Sequence, residues 1–281
     1  MVKINFMLKN IFKKFLRSRY KLPITIIVFF GLAYAIPGGG VNEIVGIILG
    51  VVGLLFAIIV GFFINDLWSR YQIVRENVAV EVSGLQTYYL FVKIMKHFPD
   101  HEKWAEKQRE LIDAYVVKFF EVEWHSYGEI DPYFNRIIES LKNVGELKTN
   151  NETETYTNML PLLNEITTSR EKLFMYGKDR LSKLEWSVIY FLAAILVFSI
   201  FFINTHELFS IFLVGMLSSA VTILLFILHD LNSLSYGEET VSFEPYETIF
   251  DVIEKPRFYR KRDIRSGRVR LPKDKEYRLV D

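Results

Sequence analysis

The stretch from Val41 to Asn77, VNEIVGIILGVVGLLFAIIVGFFINDLWSRYQIVREN, constrains the fold of this chain more than any other. Ile44–Ile64 carries no charged side chain, and a run of about 20 apolar residues matches the ~30 Å hydrocarbon core of a bilayer. No Pro interrupts the run, and no Gly separates Gly61 from the charged, amphipathic residues that follow. Inside lipid the backbone must satisfy its own hydrogen bonds, so one continuous helix is predicted to cross the membrane and go on into water. Past the bilayer, Tyr71, Val74, Val78, Val82, Leu85, Tyr89 and Val92 keep the i+3/i+4 spacing of a buried helical face. That spacing carries the predicted helix to about Lys96.

Three further apolar blocks accompany it. Trp186–Ile203 and Leu208–Leu228 contain no charge and read as spans. Leu22–Ile36 is shorter and has a basic flank, the pattern of a signal-peptide core. The Pro37-Gly38-Gly39-Gly40 that follows is not a small-x-small cleavage site, and another span comes at once, so a retained short or tilted helix is expected. Charge sets the orientation. Residues 1–21 carry seven Lys/Arg and no acid, whereas the turns Pro37–Glu43 and Asn204–Glu207 carry no Lys/Arg. Cytoplasmic flanks collect Lys and Arg, so four spans leave both termini and the middle segment in the cytoplasm of a multi-pass plasma-membrane protein.

The expected organisation is all-α. It comprises a basic amphipathic segment (1–21) at the inner membrane surface, a transmembrane hairpin (22–65) and a helical cytoplasmic domain (66–185). A second hairpin (186–229), a post-span segment (230–254) and a basic tail (255–281) follow. The cytoplasmic domain is predicted to be formed partly by extensions of the second and third spans, its last helix starting near Tyr156. Asp100 and Asp131, the latter followed by Pro132, are predicted helix starts. The tail, with eleven Lys/Arg against four acids, is expected to be unstructured or held on anionic lipid.

Within the second span Gly46, Gly50, Gly53, Ala57 and Gly61 recur at helical spacing. Such a small-residue stripe lets helices approach closely, within one chain or between chains. Asn65, Asp66, Trp68, Arg70, Tyr71 and Arg75 form an aromatic, charged collar suited to the membrane interface.

Chemistry-bearing motifs are sparse. No phosphate-cradling Gly loop, nucleophile elbow or H-E-x-x-H is present, so neither an enzyme, a cofactor nor a nucleic-acid partner is expected. The chain has no Cys, which excludes thiolate metal sites. His97 and His101 have i,i+4 spacing, but Pro99 breaks the helix that would align them. Asp230, Glu238 and Glu239 are weak calcium candidates; helix-end charge and ion pairing are the favoured explanation of such acids.

Gly61-Phe62, Asn65, Arg70-Tyr71 and Arg75, with Asp230, Gly237 and Pro245 after the last span, resemble the bestrophins. The whole chain is most similar to the bestrophin-like group of prokaryotic membrane proteins, over roughly 41–95 and 165–253. Tyr71-Gln72 stands where the family has a doubled aromatic, and the acids of the animal calcium clasp are few, so calcium gating is not implied. Bestrophins are pentameric anion channels, some bacterial relatives passing cations. The resemblance implies a homo-pentamer that conducts small inorganic ions, an anion such as chloride rather than a cation, with Leu54, Ile58 and Phe62 as an apolar pore neck. The other class left open is a non-conducting membrane scaffold or sensor whose helical domain binds a cytoplasmic partner.

Overall fold

The computed structural model describes residues 21–40, 43–121, 124–236, 239–240, 244–261, 264 and 276–280. Residues 1–20, on which the amphipathic N-terminal segment falls, lie outside them. Among the described residues eight α-helices dominate: α1 (Lys21–Ala35), α2 (Glu43–Lys96), α3 (Glu102–Glu121), α4 (Asp131–Ser140), α5 (Asn150–Lys178), α6 (Lys183–Phe202), α7 (Leu208–Asn232) and α8 (Glu244–Val252). Three of them, α2, α6 and α7, are long and apolar enough to cross a membrane, which marks the chain as an integral membrane protein. The apolar part of α1, Leu22–Ala35, is shorter.

The chain divides into two compact units, residues 1–71 with 180–241 and residues 72–179 with 242–281. In the first, α1 packs on α7 where Gly215 lets the Phe30 ring close in; a Cβ there would lie 2.8 Å from it. Phe30 also meets Phe212 edge to face, with centroids 5.8 Å apart. The two interhelical turns are bound together. Asn204, buried, donates through Nδ2 to the carbonyls of Ala33 (2.8 Å) and Ile36 (3.2 Å), and Gly39 N–H donates to Phe202 O at 2.8 Å. At the other helix ends Asn232 links three segments. Its backbone oxygen accepts from Arg70 Nη1 (3.2 Å), and its side-chain oxygen accepts from Leu181 N–H (2.9 Å).

The second unit is built on the Gln72–Lys96 part of α2. Val74, Val78, Val82, Leu85, Tyr88 and Met95 are buried there, and Ile112, Tyr115 and Phe119 of α3 and Ile166 and Leu173 of α5 are buried with them in the core of this unit. Gly84 permits close approach to Ile166, whose Cγ1 would lie 2.6 Å from an added Cβ.

Four expectations are corrected. The predicted third span is not continuous with the helix that precedes it. Instead α5 stops at Lys178, and α6 starts afresh with a capping box. Ser182 Oγ accepts from Glu185 N–H (3.3 Å) while Glu185 Oε2 accepts from Ser182 N–H (2.6 Å), a device that satisfies the free donors of a helix start. The helix that precedes it begins at Asn150, not near Tyr156, with its own box between Thr149 and Glu152, and keeps Pro161 inside. Asp100 starts no α-helix; it lies in a 3-10 turn, Pro99–His101, that leads into α3. The post-span segment and tail contain strands. β1 (Ser235–Tyr236) pairs antiparallel with β2 (Glu239–Thr240), and β3 (Arg257–Arg260) pairs in parallel with β4 (Tyr277–Val280). Arg278 grips Asp113 of α3 with both guanidinium nitrogens, at 2.8 and 2.6 Å, the bidentate geometry that makes such pairs strong. Part of the basic tail is thus ordered by one arginine.

Because Ser182 carries the start of α6, Ser182→Ala is expected to lower stability by about 1 kcal/mol. Thermal unfolding in detergent, followed by circular dichroism, measures it; an unchanged midpoint would count against the cap.

Candidate pore face and a buried polar cluster

Helix α2 turns three apolar side chains outward on one face. Leu54 is 63% exposed, Ile58 60% and Phe62 69% among the described residues, so most of each side chain is left uncovered. The small-residue stripe lies about a quarter turn away. Among the described residues a Cβ added at Gly46, Gly50 or Gly61 would meet nothing within 4 Å, and at Gly53 only Leu196 Cδ1 at 3.6 Å. Packing among the described residues therefore accounts for one of the four glycines.

The predicted collar is split by burial. Asn65, Asp66, Trp68 and Arg75 are exposed, whereas Arg70 and Tyr71 are buried. Trp68 stacks on Tyr71 with centroids 5.7 Å apart. Arg70 donates through Nη1 to Asn232 O.

Of the calcium candidates, Glu238 and the side chain of Glu239 lie outside the described residues. Among the described residues no group of three His or acids could hold a metal ion. His97 is exposed, and His101 is buried with Nδ1 2.8 Å from Val144 O; Pro99 opens the turn between them. An apolar cleft of about 790 Å³ runs beside Ile36–Gly39, Phe198 and Leu225, and no charged side chain lines it.

The residue that sequence reading missed is Glu81, fully buried on α2 in the second unit. Its Oε1 accepts from the Tyr115 hydroxyl and from Arg170 Nη1 (3.4 Å). Its Oε2 accepts from the hydroxyls of Tyr127 (2.9 Å) and Tyr246 (2.6 Å). Arg170 also donates to the Tyr115 hydroxyl and, through Nη2, to Asp131 Oδ1 at 2.6 Å. Its guanidinium lies 4.4 Å from the centroid of Phe134. Five elements thus converge on one carboxylate: α2, α3, the 3-10 turn Trp124–Ile130, α5 and α8. Burial pushes the three tyrosine hydroxyls well above their ordinary pKa, so they remain neutral donors. Burial alone would lower the pKa of Arg170; Tyr115, Tyr127, Glu81 and Asp131 outweigh it, and the guanidinium stays charged. The cluster is saturated, which suits it to hold helices together and leaves no open position for a ligand.

No curated protein and no solved structure matches this chain. A family model does: the Bestrophin-like domain covers residues 24–246, from the first helix into α8. The outward apolar face of α2, the helical unit built on that same helix and this match agree, and the chain belongs to the bestrophin-like family.

Proposed function

We propose that the protein is a homo-oligomeric, pentameric ion channel of bestrophin type, with Leu54, Ile58 and Phe62 forming an apolar neck on a central axis. In this reading α1 is a fourth, short span, and both termini and the middle domain lie on the cytoplasmic side of the plasma membrane. The observation that carries it is the outward face of α2. Three large apolar side chains share it, unpacked, on a helix of 54 residues. In an assembly such a ring faces the axis, where an apolar constriction can stop ions by dewetting. The open glycines at 46, 50 and 61 then serve close contact between copies. The family resemblance by itself favours an anion as the permeant ion.

Purified protein in a planar bilayer tests the proposal. Phe62→Ala widens the neck and is expected to raise single-channel conductance about twofold or more. No current in any salt, or an unchanged conductance in Phe62→Ala, rejects the neck. Monomers or dimers in mild detergent leave no axis and favour the scaffold, in which the helical unit binds a cytoplasmic partner and the spans anchor it.

A further inference from the structure

Helix α2 is one element of 54 residues. At about 100° per residue, positions 18 apart return to the same angle, so Ile58, Glu76 and Ile94 stand in one line. Leu54 and Phe62 flank that line, followed by the uncharged polar side chains of Asn65, Ser69 and Gln72. Beyond Glu76 the face continues with Ser83 and Thr87, both exposed. Between Ile44 and Ile94, Glu76 is the one charged residue within about 40° of the line. Arg75 and Asp66 stand roughly a quarter turn away to either side. Glu76 is exposed, and among the described residues it has no hydrogen-bond or ion-pair partner. The other acid on this part of α2, Glu81, is consumed by Arg170 and three tyrosines.

We infer that Glu76 contacts the permeating ion and sets the charge preference of the pathway, drawing cations in and holding anions off. The inference rests on the channel reading, because only assembly around an axis turns one carboxylate per chain into a ring. A single exposed carboxylate in water is screened within about a Debye length, ~10 Å at 0.1 M salt. A ring inside a low-dielectric wall focuses its field on the lumen instead. No positive charge on the same face offsets it, and the neck offers no charge of its own. Side-chain rings of Asp or Glu select cations by this means, so the charge along α2 opposes the anion preference that family resemblance suggests.

Reversal potentials of the full-length protein in planar bilayers under asymmetric KCl decide the matter. The wild type is expected to reverse toward the potassium equilibrium potential. Glu76→Gln is expected to lower the potassium-to-chloride permeability ratio about threefold or more, and Glu76→Lys to bring it below that of Glu76→Gln. The wild-type preference is expected to grow as salt is reduced, since screening weakens. Glu171→Gln, an exposed acid on α5, controls for general surface charge and is expected to change nothing. A wild-type reversal potential on the chloride side, or a Glu76→Gln channel that conducts with an unshifted ratio, overturns the role of Glu76 and leaves the channel reading standing. A wild type that is silent in every salt overturns both.

Discussion

Arg170→Ala is expected to cost about 3–5 kcal/mol of stability, the usual penalty for removing one partner of a buried ion pair. Glu81 is fully buried and Arg170 nearly so. The remaining carboxylate would keep its bonds from Tyr115, Tyr127 and Tyr246 but lose the charged donor Arg170. Arg170→Lys separates charge from geometry. One ammonium cannot serve Glu81, the Tyr115 hydroxyl and Asp131 as the fork does, so an intermediate loss is expected. Replacing the pair by Glu81→Leu with Arg170→Leu is not expected to restore stability. It removes the unpaired charge, yet it deprives three buried hydroxyls of their acceptor at about 1–3 kcal/mol each. Chemical unfolding of the detergent-solubilised protein, followed by tryptophan fluorescence, ranks the variants. A stability of Arg170→Ala within about 1 kcal/mol of wild type would mean that the cluster contributes little.

The position of that cluster was half legible. Glu81 falls at i+3 from Val78 and i−4 from Leu85, so a charged residue stands on the apolar face that predicted α2. Such a residue is buried only when it is paired, and that signal was available. Its partners were not. They lie between 34 and 165 residues away in sequence, and nothing in periodicity names a contact at such a distance. The ends of α5 and α6 were readable in principle, because Thr149-x-x-Glu152 and Ser182-x-x-Glu185 both have the capping-box spacing. The first is disguised by Pro161, since proline is favoured in the opening turn of a helix, whereas here it stands well inside α5. The spans were the most legible part, since roughly 20 uncharged residues admit few alternatives in water or lipid. The β3–β4 pair was hidden by composition. A basic segment looks unable to pack until Arg278 is seen to meet Asp113.

Gly38→Ala is expected to be the most damaging substitution among the glycines of the first unit, at about 3 kcal/mol, the upper part of the range for overpacking. A Cβ at this position would lie 2.5 Å from Asn204 O and 2.7 Å from both Asn204 N and Phe201 O. All three are backbone atoms, so no rotamer change relieves the clash. Either the Ile36–Gly40 turn or the end of α6 must move. Movement also endangers the bonds from Gly39 to Phe202 O and from Asn204 to Ala33 O, each worth about 1 kcal/mol. Gly50→Ala supplies the contrast. An added Cβ there meets nothing within 4 Å among the described residues, and alanine is a better helix former than glycine by about 1 kcal/mol. The unfolding midpoint of the isolated chain should therefore hold or rise with Gly50→Ala and fall with Gly38→Ala, as circular dichroism in detergent would record. If Gly50→Ala instead breaks up an oligomer while leaving the fold intact, its glycine was making room for a neighbouring copy. Equal loss of fold in both variants would contradict the open space around Gly50 and the closed space around Gly38.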